Sequence, residues 1–279
     1  VQITGGCPQS CSYCPYPQVG GDILKRSDEM HLEKWEALLD KISSFCDDAM
    51  IGVSAWGEPA LHSRIADVVG AVFQRPGLSL TIETSGVGWS VPVLNRIADE
   101  YRRKHGGDRS SLFWIVSLDS DDRELYASLR GPQLDEALAA IELLRRLFPG
   151  QVYVQAVRMK SNEEQLDQFY QRWKNREDLQ VIVQKYDSFC GFLPERKVTD
   201  LSPIERFPCW HLKRDLVVLI DGSVPMCRED LKNEYILGNV FVENIEDVWE
   251  RGGEYYMQHL KAEYPPLCGK CDEYYTYNF

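Results

Sequence analysis

The feature that most constrains the fold of this 279-residue chain is a rhythm of short apolar runs separated by amphipathic stretches. The runs are VQIT (1–4), AMIGVSA (49–55), LSLTIET (78–84), LFWIVSL (112–118), VYVQAV (152–157) and LQVIVQ (179–184). They are rich in Val, Ile and Leu, as the strands of a buried parallel sheet are. Between them, LEKWEALLDKISSF (32–45) sets Trp35, Leu38, Leu39 and Ile42 on one helical face. Similar patterns run through 63–75, 91–104, 133–147 and 162–174. This alternation specifies an α/β fold. Six strands fall short of the eight that close a barrel, so a partial, open TIM-like (β/α)6 barrel is expected over residues 1–195. Its active site belongs in the loops at the C-terminal strand ends.

The rhythm changes after about residue 190. FLPERKVTDLSPIERFPC (192–209), with three prolines, reads as a linker. DLVVLIDGSVPMC (215–227) reads as a β-hairpin: an apolar strand, an Asp-Gly turn at 221–222 and a second short strand. A helix is expected over roughly 244–262, starting near Asn244. Residues 205–279 therefore read as a small second domain. The chain opens inside a strand without a Met, so it reads as part of a longer protein, and the absence of a targeting segment carries no weight.

Charge and cysteine usage narrow the chemistry. A net charge of −12 and a pI near 5.0 argue against nucleic acid as a partner. No apolar run approaches the roughly 18 residues of a membrane span. There are nine cysteines, an odd count in a long chain, and seven fall into two sets with metal-site spacing. Clustered thiols of this kind suit a reducing, cytoplasmic setting and a metal rather than a disulfide framework. The first set, Cys7, Cys11 and Cys14 in GGCPQSCSYCPYP (5–17), directly follows the first strand. Three thiols are one fewer than a closed zinc or iron–sulfur site needs.

The spacing Cys-X3-Cys-X2-Cys, with Tyr13 before the last cysteine, resembles the signature of the radical S-adenosylmethionine (SAM) superfamily. The resemblance implies that the three thiolates hold a [4Fe–4S] cluster whose fourth iron is chelated by SAM. It also implies reductive cleavage of SAM to a 5′-deoxyadenosyl radical that abstracts hydrogen from a substrate. Other segments resemble the family's SAM-binding features. WGEP, with Gly57 and Glu58, is similar to its Gly-Gly-Glu-Pro segment, Trp56 replacing the first Gly. The resemblance sets Glu58 against the SAM ammonium. VSLD followed by SDDRELYASLRG resembles the "SLD…RG" pattern of peptide-modifying relatives. It implies Ser117 on the ribose or methionyl part of SAM, Arg130 on its carboxylate and Asp119 facing substrate. ETSG (83–86) offers Ser85 as a further SAM contact. Gln155, Arg158, Lys185 and Tyr186, at the ends of strands five and six, are in position for cofactor or substrate.

The second set is Cys209, Cys227, Cys268 and Cys271, with Gly222 at the turn between the first two. It resembles the SPASM/twitch C-terminal domains of radical SAM enzymes, which carry auxiliary iron–sulfur clusters. A full SPASM domain has its next cysteine at the position of Tyr277, and no cysteine follows here. Four ligands are enough for one closed auxiliary [4Fe–4S] cluster, suited to electron transfer. Four thiolates alone also fit zinc. Cys46 reads as a small buried apolar residue, and Cys190, after strand six, as an inert thiol or as one able to return hydrogen to a substrate radical.

The pattern is also similar to the SPASM-containing group of spirochaetes. The expected function is a radical SAM enzyme performing dehydrogenation, cross-linking or epimerisation on a peptide, sugar or alcohol. Its partners would be that peptide or small-molecule substrate and a reductase or flavodoxin-type electron donor. The competing reading is a non-catalytic zinc-binding interaction module.

Overall fold

The computed structural model describes residues 1–16, 18–19, 28–53, 55–106, 111–199 and 202–275. Its centre is a five-stranded, all-parallel sheet of β1 (Ala49–Gly52), β2 (Leu78–Thr84), β3 (Leu112–Ser117), β4 (Val152–Arg158) and β5 (Leu179–Lys185), in that spatial order. Helices connect the strands: α1 (Leu32–Phe45) precedes β1, and α2 (Ile65–Phe73), α3 (Val91–His105), α4 (Arg123–Leu129), α5 (Leu134–Leu147) and α6 (Glu163–Lys174) follow. Strand order equal to chain order, with a helix at each crossover, is the arrangement of an open barrel wall.

The first apolar run departs from expectation. Residues 1–4 form no ladder strand; they lie at the β1 edge through isolated contacts. Val1 N donates to Gly52 O at 2.5 Å, Gln2 N to Val218 O at 2.8 Å, and Met30 N to Ile3 O at 2.9 Å. The run is short and is split between three partners, so no register is repeated.

Burial alternates along β2 and β3: Leu78, Leu80, Ile82, Leu112, Trp114 and Val116 are buried, and the residues between them are more open. The sheet is therefore covered by helices on one face, and its other face is the inside of the half-barrel. Helix α1 buries Trp35, Leu38 and Leu39. Trp35 is fully buried, and its indole N–H donates to Val68 O of α2 at 2.9 Å. Helix α3 begins with Ser90 accepting from Val93 N and ends at Gly106 in the left-handed region, with four basic residues in its last turn.

The C-terminal part contains α7 (His211–Arg214), β6 (Ser223–Pro225), β7 (Ile236–Asn239), α8 (Ile245–Leu260) and α9 (Pro266–Lys270). The Asp-Gly turn is present, with Leu219 N bonded to Ser223 O at 2.9 Å. The strand that pairs with β6 is nevertheless β7, antiparallel, and not the run 215–220. Gly222 has φ +85°, and a Cβ there would sit 2.4 Å from the Phe241 ring. The residues bringing β7 against the turn thus exclude any side chain at 222. Helix α8 is capped by Asn244, as its sequence implies. Buried residues of this part, among them Val218, Val224 and Val248, belong to the same continuous core as the sheet. Cys46 is half-buried at the end of α1 rather than part of that core.

Gly57, in the turn after β1, ties the first segment to the sheet. It has φ +80°, and a Cβ would lie 2.3 Å from Thr4 O and 3.1 Å from Gly6 O. The next residue's N–H, Glu58 N, donates to Gly6 O at 2.7 Å. Gly57→Ala is expected to lower stability by about 2 kcal/mol through left-handed strain and backbone collision. The readout is a lower urea midpoint at unchanged m-value; an unchanged midpoint contradicts this packing.

Candidate active site

A cavity of about 210 Å³ opens at the C-terminal ends of the strands. Cys7, Cys11 and Cys14 line one wall. Glu58, Ser85, Ser117 and Arg130, from four different strand ends or loops, line the rest with Tyr13 and Gly57. Sheet register explains the convergence: Thr84 is paired with Val116, Ser117 with Gln155, and Val157 with Gln184, which levels the strand ends into one rim.

The Glu58 carboxylate is buried and held by donors from the end of β2. Oε2 accepts from Ser85 N at 2.7 Å and Ser85 Oγ at 2.6 Å, and Oε1 from Thr84 Oγ1 and from Ala60 N at 3.3 Å. Burial raises its pKa while these hydrogen bonds oppose the rise. Trp56 fills space at the same turn, stacked on Tyr16 with ring centroids 5.8 Å apart and tilted against Phe189 at 5.7 Å. The bulky replacement for a small residue thus becomes part of an aromatic wall.

The cysteine loop is fastened by a buried polar network. Arg130, at the end of α4, donates through Nε to Gln9 Oε1 at 3.1 Å and through Nη1 to Asp119 Oδ2 at 2.8 Å and to the Tyr13 hydroxyl. Tyr13 OH donates to the same Asp119 oxygen at 2.5 Å. Asp119 Oδ1 accepts from Val157 N at 2.7 Å. Gln9 Nε2 reaches Tyr126 OH at 2.8 Å, and Ser12 N reaches Leu129 O at 2.8 Å. Arg130 and Asp119 side chains are 6% and 0% exposed.

This corrects the expectation that Asp119 faces substrate. Both its oxygens are used within the protein and it does not line the cavity, so it positions Arg130 and Tyr13. Cys190 also misses the cavity. It lies in a left-handed turn, with Phe189, Cys190 and Gly191 at φ +51°, +56° and +81°. Its thiol hydrogen-bonds the Cys271 sulfur, which raises the Cys190 pKa. Arg158 pairs with Glu163 at 2.6 Å, and the buried Tyr186 donates to Pro194 O at 2.6 Å, so neither faces the cavity. Gln155 and Lys185 do.

The three thiols fit an anionic metal centre. Burial pushes Cys7 up to about 11 and Cys14 up to about 12, so thiolates here call for a bound cation. Among the described residues the only trio of ligand-type atoms within 4.8 Å of one another is Asp187, Asp272 and Glu273. That trio is threaded by cations: Arg228 pairs with Asp187 at 2.9 Å, and Lys185 and Lys197 pair with Glu273 and Asp272. Neither cysteine set is as tight. Tetrahedral zinc sets its sulfurs about 3.8 Å apart, so the wider thiols suit a four-iron cluster better than zinc.

A second cavity of about 220 Å³ is ringed by Cys209, Cys227, Cys268 and Cys271. Cys209 precedes α7, Cys227 follows β6, Cys268 is in α9 and Cys271 caps it. Burial pushes Cys209 up to about 11 and Cys268 up to about 12. Gln184 and Arg228 line both cavities. Sequence reasoning missed Gln9, Arg228 and Gln184. Only Arg228 carried a local signal, standing next to Cys227 of the second cysteine set.

Comparison with known proteins agrees with this geometry. A family model described as the Radical SAM superfamily matches residues 1–172, and one described as an iron-sulfur cluster-binding domain (SPASM) matches residues 209–272. An uncharacterized protein of Treponema pallidum (strain Nichols) is 41% identical over 288 aligned positions, spanning 100% of this chain and 79% of that protein. Among solved structures, BtrN in complex with AdoMet and 2-DOIA superposes with TM-score 0.60 at 16% identity, covering 99% of this chain and 96% of BtrN. Streptococcus suis SuiB bound to S-adenosylmethionine gives 0.69 at 16% identity, covering 96% and 65%. The anSMEcpe structure with bound AdoMet gives 0.67 at 13%, covering 92% and 81%. The chain belongs to the radical SAM superfamily, of the type with a C-terminal SPASM region, and its cofactors are SAM, a [4Fe–4S] cluster and an auxiliary iron–sulfur cluster.

Proposed function

We propose that this enzyme oxidises a polar substrate, by dehydrogenation or cross-linking, with the auxiliary cluster as electron acceptor. In this reading Cys7, Cys11 and Cys14 hold the SAM-binding cluster, and Cys209, Cys227, Cys268 and Cys271 hold the auxiliary [4Fe–4S] cluster. When bound, the first cluster supplies the electron that cleaves SAM to methionine and a 5′-deoxyadenosyl radical, which takes a hydrogen atom from substrate.

The protein residues then bind and orient. Glu58 and Ser85 are set to receive the SAM ammonium, Ser117 its ribose or methionyl part, and Arg130 its carboxylate. Asp119 aims Arg130 and Tyr13. Trp56, Tyr16 and Phe189 form a dry wall that limits water access. Residues 1–195 carry the SAM site and 205–279 the auxiliary site in this division.

The single observation carrying the oxidative outcome is the shared wall. Gln184 and Arg228 separate the two cavities, so a substrate radical in the first would sit beside the electron acceptor in the second. The cavity's far side, with Glu83, Gln155, Lys185 and Asp187, suits a substrate rich in hydroxyl, amino or amide groups. The placement of Cys190 against Cys271 disfavours the thiol-quenched, epimerising alternative. The solved structures include BtrN with 2-DOIA and SuiB with precursor peptide SuiA, which supports a small molecule or a peptide as the substrate class. A reductase or flavodoxin-type protein would supply electrons to the first cluster.

The test is product mass after turnover with SAM, dithionite and fractionated peptides and metabolites. Oxidation gives a product lighter by two hydrogens. A product of unchanged mass in ordinary water that carries one deuterium when made in heavy water overturns the oxidative reading.

Two variants test the site itself. Anaerobically reconstituted protein is expected to hold about eight irons, and Cys11→Ala about half of them. That variant should form no 5′-deoxyadenosine from SAM, and retained formation contradicts the assignment. Asp119→Asn removes one charge of a buried pair, a loss of about 3–5 kcal/mol where the partner stays charged. It is expected to lower the unfolding midpoint and to lose iron from the SAM site while the auxiliary iron stays; wild-type iron and stability contradict the positioning role.

A further inference from the structure

Arg206 stands at the auxiliary cavity, and among the described residues no counter-charge pairs with it. Its guanidinium carbon lies over the rings of Tyr264 and Tyr274, 4.7 and 4.3 Å from their centroids. Nη1 donates to Cys271 O at 3.2 Å. Nε is buried and has no hydrogen-bond partner. Among the described residues no carboxylate pairs with it. The contrast is Arg228 on the same cavity, whose guanidinium pairs with Asp187, Glu229 and Glu273.

A half-buried cation with an orphaned N–H is costly unless something anionic completes it. The cavity that Arg206 lines is ringed by four thiols. Four thiolates around an oxidised [4Fe–4S] core carry two negative charges, and one electron makes that three. The two ring contacts and the bond to Cys271 O hold the guanidinium in place, so its charge is preorganised at the cavity.

We propose that Arg206 is a tuning residue of the auxiliary cluster: its Nε–H donates to a cluster sulfur and its charge stabilises the reduced form. The interaction gains strength when the electron arrives, because the cluster becomes more negative. The cluster's midpoint potential is raised, which suits an acceptor of electrons from substrate. Hydrogen bonds and nearby charge are the levers by which proteins set such potentials. The proposal rests on the reading that an iron–sulfur cluster occupies this four-thiol site, but not on the identity of the substrate.

The test is a redox titration of the holoenzyme followed by electron paramagnetic resonance, with iron counted in every sample. In Arg206→Gln the auxiliary midpoint is expected to fall while the SAM-site midpoint stays. In Arg206→Lys, which keeps the charge but loses the fork, it should fall less. An unmoved auxiliary midpoint at full iron in Arg206→Gln, or an equal shift in both clusters, overturns the proposal. If Arg206→Gln does not retain auxiliary iron, Arg206→Lys decides: a lowered auxiliary midpoint supports the role and a wild-type one overturns it. Absent auxiliary iron in the wild-type holoenzyme would overturn both this and the acceptor reading. An unmoved midpoint with full iron sinks the tuning role alone.

Discussion

The buried pair of Arg130 and Asp119 joins the cysteine loop to the sheet, and the geometry of the first cavity depends on it. Its energetic logic is that of any buried ion pair: the charges are tolerable because nearly every lone pair and donor is used. Asp119 receives Tyr13, Arg130 and the Val157 N–H, and Arg130 also grips Gln9. Tyr13 and Gln9 belong to the loop that carries Cys7, Cys11 and Cys14. Loops are ordinarily the mobile part of a barrel face. Here the loop's side chains are anchored to the ends of β3 and β4 by Asp119 and Val157.

The second thiol set answers a different physical need. Its four cysteines close a site, and the surrounding charge decides how easily that site accepts an electron. Arg228 is neutralised by carboxylates, whereas Arg206 lies over two tyrosine rings and, among the described residues, has no carboxylate partner. The two arginines thus divide the work along one cavity wall. Arg228 joins the auxiliary region to Asp187 at the end of β5, and Arg206 supplies a positive charge that no described carboxylate matches. The shared core beneath both regions keeps the distance between the cavities fixed.

Much of this was legible in the sequence where the signal is local. Helix 32–45 is found at the bounds its periodicity predicts, and Asn244 caps the helix it was expected to start. The two cysteine sets stand out by their spacing, and Glu58, Ser85, Ser117 and Arg130 by their resemblance to family motifs; the structure brings these four to the wall of the first cavity. Pairing partners were less legible. The Asp-Gly turn was read correctly, yet β6 chose a strand beginning at Ile236, because register is settled by packing against Phe241 and Asn239 rather than by the turn alone. Direction of a side chain was not legible at all. Asp119 and Cys190 have the right residue types for chemistry, but the positive φ at each turns the chain so that one meets Arg130 and the other meets Cys271. Gln9 and Arg206 meet partners far away in sequence, so no local pattern marks them, and Arg228 had only its place beside Cys227 as a signal.

The central claim is that the two thiol sets differ in one respect: one leaves an iron open to SAM and the other does not. Titrating SAM into the dithionite-reduced holoenzyme under electron paramagnetic resonance tests it most directly. The account predicts that one of two cluster signals changes on SAM addition and that this signal is missing in Cys11→Ala, while the other is insensitive to SAM. Two signals that both ignore SAM, or a SAM-sensitive signal that survives in Cys11→Ala, would contradict it.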